Sequence, residues 1–168
     1  KYGNVLMVQM QGSRAKARTE GIMRVSTEWF MFVDSDVLLC MDWFKKAQVD
    51  LVNGVGAVWG LNVDVLPNVK DKRVLHLQSI VARQCFYLRG GMHDTLILRK
   101  AVEGIKIPEH LHTYEDAFIV QWIKMQGYKV NVGSEVYCLH YKPPTNWNMK
   151  NGFSQAILEF KCGLVYSH

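Results

Sequence analysis

The chain has 168 residues, 49% of them hydrophobic and 21% charged, which suits one domain with a real core rather than two sizeable ones. No apolar run reaches the roughly 18 residues needed to span a bilayer, because Asp, Lys or Arg interrupts every candidate. The formal net charge of +5 favours polyanionic partners such as nucleotide diphosphates, lipid phosphates or an acidic membrane surface. The basic residues are scattered, so nucleic acid is not an expected partner.

Residues 5–9 (VLMVQ) read as a short buried strand. Ser13 can cap a helix over 14–25, with Ala17, Ile22 and Val25 as its apolar positions. Residues 29–33 (WFMFV) form an unbroken apolar run that ends in Asp34-Ser35-Asp36, the pattern of a buried parallel strand with a polar carboxyl end. A second helix is expected over 41–52, closed by Asn53-Gly54, and another strand over 55–65. This alternation argues for an α/β fold with a mixed, mostly parallel sheet flanked by helices. In such sheets ligands bind beyond the carboxyl ends of strands, where the acidic triplet falls.

Residues 67–83 read as a loop with a short helix, and Gly90-Gly91 precedes a strand candidate at 95–98. A helix over 114–126 stops at Gly127, followed by two short strands, 128–132 and 135–139. Residues 148–162 can form a last amphipathic helix, which packs on the sheet or rests on a membrane. The four cysteines, Cys40, Cys85, Cys138 and Cys162, contain no C-x-x-C pair and read as free thiols in a reducing, cytoplasmic compartment. That location leaves room for contact with the inner face of a membrane. The chain opens on Lys1 rather than Met, and is expected to begin inside a longer protein.

Asp34 and Asp36 flank one small residue. Two carboxylates crowded at a strand end repel each other, and a divalent cation removes that cost. Carboxylate ligands suit Mg2+ or Mn2+. Such an ion can bridge diphosphate oxygens and stabilise a departing phosphate. The plainer alternative is a solvated turn with Asp36 capping a following helix.

Several segments together resemble the inverting family-2 glycosyltransferases of the GT-A fold. The first are Gly12-Ser13-Arg14-x-x-x-Arg18-x-x-Gly21-Ile22 and Thr27 through Asp36. Next come Gly90-Gly91 with Thr95-Leu96-Ile97-Leu98-Arg99-Lys100, then Tyr114-Glu115-Asp116 with Gly127-Tyr128-Lys129-Val130. The last is Val136-Tyr137-Cys138-Leu139-His140. The resemblance spans about residues 12 to 142, within a single domain over 1–168. The family's usual Asn after the helix arginine is Thr19 here. Family members carry an earlier strand and helix that grip the nucleotide base, so an N-terminally incomplete domain is expected.

The resemblance implies a GT-A fold and transfer of a sugar, with inversion, from a nucleotide-diphosphate sugar to a saccharide, protein or lipid-linked acceptor. It implies Asp116 as the catalytic base. That fits the need for a group to take the acceptor's proton, although Glu115 and Asp116 would also complement the positive end of the following helix. It further implies a divalent metal, Mn2+ or Mg2+, on Asp34, Asp36 and His140. Arg14, Arg18, Asp34, Ser35 and Lys142 are the candidate donor contacts. Arg14 and Arg18 share a helix face, and arginine forks suit phosphate; a solvated basic face is the alternative. Gly90, Gly91 and Glu115 are the candidate acceptor contacts. His76, His93, His110 and His112 read as ordinary histidines, and Trp59 as core. Two other functions fit less well: a nucleotidyltransferase, for which a Gly-rich phosphate loop is missing, and a sugar-binding domain without turnover.

Overall fold

The structure is a computed structural model, described here for residues 6–65, 91–111, 114–141 and 157. Helix α1 (Arg14–Arg24) starts where predicted: the Ser13 hydroxyl accepts the Lys16 backbone N–H at 3.2 Å, and Ala15 and Ile22 face inward. Strands β1 (Trp29–Val33) and β2 (Val37–Leu39) flank the acidic triplet. The expected second helix is shorter than its pattern, α2 (Trp43–Ala47) continuing as a 3-10 turn over Gln48–Asp50. Strand β3 (Val55–Asp64), strand β4 (Asp94–Leu98), helix α3 (Glu115–Met125) and strand β5 (Lys129–His140) complete the described elements.

The sheet runs in the order β1-β4-β3-β5-β2. Only β3 and β5 pair in parallel; β1–β4, β3–β4 and β2–β5 are antiparallel. The sheet is therefore mixed rather than mostly parallel. The strand–helix alternation did identify co-directional strands, because β1 and β3 both oppose β4 and so run the same way. It could not reveal that β4 inserts between them in reverse, since an apolar run carries no signal of direction.

Other expectations change in detail. The described residues 6–10 form no strand. The two late strands are one, β5, with an irregularity in its pairing to β3 between Trp59 and Leu61. Of the segments expected at 67–83 and 148–162, all but Ile157 lie outside the described residues.

Alternation along the strands sorts the core into two clusters. Phe30, Phe32, Trp59 and Ile97 pack with Ala15 and Ile22 of α1 and Ile119 and Ile123 of α3. Trp29, Met31, Leu96 and Val136 pack with Trp43 and Ala47 of α2. Trp59 is 2% exposed, in keeping with its reading as core. Cys40 and Cys138 are free and buried, while Cys85 and Cys162 lie outside the described residues.

Gly60 in β3 is closely covered by the side chains of Asp94 and Trp43. A β-carbon there would land on the carboxylate of Asp94 and against the Trp43 indole nitrogen. Both are fully buried and neither is the free end of a flexible chain. Gly60→Ala is expected to lower stability by about 1–3 kcal/mol, the usual cost of overpacking a core. Denaturant unfolding checks this, and an unchanged midpoint would contradict it.

Candidate active site

The acidic triplet forms a turn between β1 and β2, and its backbone is pinned on both sides. The Asp34 N–H donates to the His93 carbonyl at 3.3 Å, the Val37 N–H to the Asp34 carbonyl at 3.2 Å, and the Tyr141 N–H to the Asp36 carbonyl at 2.9 Å. Antiparallel pairing puts Val37 opposite His140, which brings that histidine beside the second aspartate. His140 Nε2 lies 3.3 Å from Asp36 Oδ2. The Asp34 and Asp36 side chains are 45% and 41% exposed and that of His140 13%. Carboxylate oxygen and imidazole nitrogen are donor types that suit Mn2+ or Mg2+. Asp36 leads into β2 rather than a helix, so it caps none.

Arg18 links this turn to the start of α3. Its guanidinium lies 3.8 Å from Asp34 Oδ1 and 3.4 Å from Glu115 Oε1. It donates to the Met92 carbonyl at 3.5 Å and lies over the Phe32 ring, 4.9 Å from the centroid. Arg14, one turn earlier, reaches the same Glu115 oxygen at 4.0 Å. The side chain of Glu115 is fully buried; an arginine pair satisfies the charge that burial would otherwise forbid. The neighbouring Asp116 has its pKa raised to about 7, first by burial and then by the negative charge of Glu115 and a hydrogen bond shared with it; Arg18 pulls the other way. A carboxyl poised near neutrality can accept a proton at physiological pH.

A second polar group lies behind the turn. Asp94 opens β4 opposite Val33, is fully buried, and accepts the Trp43 indole N–H at 3.2 Å. Burial raises its pKa to about 7, against hydrogen bonds from Trp43, Cys138 and Gly60. His93 Nε2 sits 3.4 Å from Asp94 Oδ1, and the His93 ring stacks on that of His140, with centroids 5.8 Å apart and planes 13° from parallel. The ligand atoms of His93, Asp94 and Cys138 lie within 4.8 Å of one another and could hold a metal ion. The carboxylate there is already engaged by three protein donors, unlike those of the turn.

Of the residues singled out by sequence, Asp36 and His140 come together, and Arg18 joins Asp34 to Glu115, which Arg14 also reaches. Ser35 is exposed at the tip of the turn. Gly91 is buried, and its carbonyl accepts the Thr95 hydroxyl. Gly90 and Lys142 lie outside the described residues, as do His76 and His112. His93 and Asp94 were missed as site residues. The available signal was a charged dipeptide at the head of an apolar strand, just after Gly90-Gly91. A cavity of about 560 Å3 lies between α1 and the segment 99–106, and its lining includes none of these residues.

No family model matches the chain, and no curated protein does. Solved structures do. A mannosyltransferase from Pyrobaculum calidifontis, solved with GDP-Man and Mn2+, superposes with a TM-score of 0.59 at 19% identity, over 88% of this chain and 44% of that one. The fold is shared with a glycosyltransferase. A mycobacterial protein superposes with a TM-score of 0.51 at 16% identity, over 95% of this chain and 55% of that one. The chain thus spans about half the length of these two solved structures. Among the described residues no helix is long and apolar enough to cross a membrane.

The buried carboxyls carry a consequence for stability. Asp94 and Asp116 hold protons in the folded chain up to about pH 7, whereas their ordinary value is 3.8. Folded protein binds more protons than unfolded in that window, so their contribution to stability falls as pH rises from about 4 to about 7. Unfolding midpoints in metal-free buffer should be lower at pH 8 than at pH 5. Asp94→Asn should flatten the slope, and a slope equal to that of the unaltered protein would contradict the assignment.

Proposed function

We propose that this protein is a glycosyltransferase that moves a sugar, with inversion, from a nucleotide-diphosphate donor to a hydroxyl acceptor, assisted by a divalent cation. The observation that supports it is that His140 meets Asp36 of the acidic turn while Arg18 ties Asp34 of the same turn to Glu115, the neighbour of Asp116. The shared fold with a mannosyltransferase solved with GDP-Man and Mn2+ supports the same reading.

Asp34, Asp36 and His140 would hold the ion, which supplies positive charge to the diphosphate as it departs. Ser35, at the exposed tip between the two aspartates, can offer its hydroxyl to a phosphate oxygen. Arg14 is exposed and can turn from Glu115 to the donor. Arg18 is mostly enclosed, with only 11% of its side chain exposed. It therefore acts chiefly by holding Asp34 and Glu115 at fixed separation. Lys142 follows directly on Tyr141 and is a further candidate for the diphosphate.

Asp116 takes the proton of the acceptor hydroxyl as that oxygen bonds to the anomeric carbon. The bond from that carbon to the diphosphate oxygen breaks on the opposite face, and the nucleotide diphosphate leaves with the electron pair. Glu115 raises the proton affinity of Asp116; its own side chain is fully buried against Arg18, so it acts on the acceptor only through Asp116.

Incubation with a panel of nucleotide-diphosphate sugars should release nucleotide diphosphate only when Mn2+ or Mg2+ is present. Pyrophosphate release, or no turnover with any donor, would overturn the proposal. Asp116→Asn should leave donor binding intact while transfer falls roughly 100- to 10,000-fold, the usual loss for a general base. In the unaltered enzyme the rate should rise with pH to a plateau above about 7, the value to which Asp116 is raised. A pH-independent rate would remove Asp116 from the role.

A further inference from the structure

His93 touches two of the three candidate cation ligands. Its carbonyl accepts the Asp34 N–H at 3.3 Å, and its ring lies parallel to the ring of His140, 13° off, at a centroid distance of 5.8 Å. Aromatic rings at such separations prefer offset stacking, and the pairing restricts rotation of both. The His140 side chain stands at the end of β5 with 13% exposure, so the neighbouring ring plane limits where Nε2 can point.

The His93 ring lies against a buried carboxyl group that is itself held. Its Nε2 sits 3.4 Å from Asp94 Oδ1, and Asp94 is held by the Trp43 indole at 3.2 Å and by hydrogen bonds from Cys138 and Gly60. The space is closed at Gly60, where any β-carbon would strike the carboxylate. With Nε2 turned inward to Asp94, His93 presents a flat face to the rim.

We propose that His93 is a positioning residue for the cation site: its ring is a shelf that sets the plane of the His140 imidazole, and Asp94 clamps the shelf. The proposal rests on the reading that Asp34, Asp36 and His140 hold the ion. Outer residues that orient metal ligands typically contribute 10- to 100-fold to affinity, and His93 itself need not coordinate the ion.

Mn2+ affinity is measured by titration with detection of free Mn2+ by electron paramagnetic resonance, for the unaltered protein, His140→Ala, His93→Leu and His93→Phe, each with its melting temperature. His140→Ala should weaken binding strongly. His93→Leu fills the volume without a flat ring and should weaken it by about tenfold or more. His93→Phe keeps the stacking face but loses the nitrogen that meets Asp94, and should fall between the unaltered protein and His93→Leu. If His93→Leu binds Mn2+ normally while His140→Ala does not, the shelf is wrong and the cation site stands. If His93→Phe is as weak as His93→Leu while still folded, the ring acts through its nitrogen and the proposal is overturned. If His140→Ala binds normally, the ligand set fails and the shelf fails with it. Should His93→Leu not fold, Asp94→Asn, which is isosteric, takes its place, with weakened Mn2+ binding expected and unchanged binding overturning the clamp.

Discussion

Arg18 stands between two groups of carboxylates that would otherwise repel each other. Asp34 and Asp36 crowd one turn, and Glu115 and Asp116 crowd the head of α3. The guanidinium reaches both groups and rests on Phe32. A buried glutamate is costly without such a partner, so the position of α3 relative to the β1–β2 turn depends on this contact. On the far side of the same turn, Asp36 lies 3.3 Å from His140.

Backbone pairing does the rest of the assembly. The β2–β5 register places Val37 against His140, which converts residues 104 positions apart into neighbours. The β1–β4 register places Val33 against Asp94, so the head of β4 supports the acidic turn from beneath. Strands β1 and β5 end at the same edge, and β4 begins there. Two co-directional strands and one reversed strand therefore deliver side chains to one rim.

Much of this was legible before any coordinates. An apolar pentapeptide running into Asp34-Ser35-Asp36 marks a strand end, and Glu115-Asp116 ahead of an amphipathic stretch marks a helix start. The Ser13 cap and the Gly127 stop bounded their helices closely. Strand direction was not legible, because apolar alternation is the same read either way; the strand candidate at 95–98 carried no sign that β4 runs against its neighbours. Asp94 was also hidden, since a carboxylate ahead of an apolar run usually meets solvent rather than an indole and a thiol. Arg14 and Arg18 were placed on one face correctly, but sequence could not tell that Arg18 turns inward to Glu115 rather than outward to a ligand.

His93, Asp94 and Cys138 form a closed group that could hold a metal ion, whereas the proposed function puts the ion at the rim, on the acidic turn and His140, and the account depends on which is used. Diffraction from crystals grown with Mn2+, recorded at the manganese absorption edge, locates the ion directly. An anomalous peak at the rim, bonded to Asp36 and His140 with the His93 ring stacked behind, is the predicted result. A peak within the His93–Asp94–Cys138 group, or a rim without one in crystals saturated with Mn2+, would contradict it.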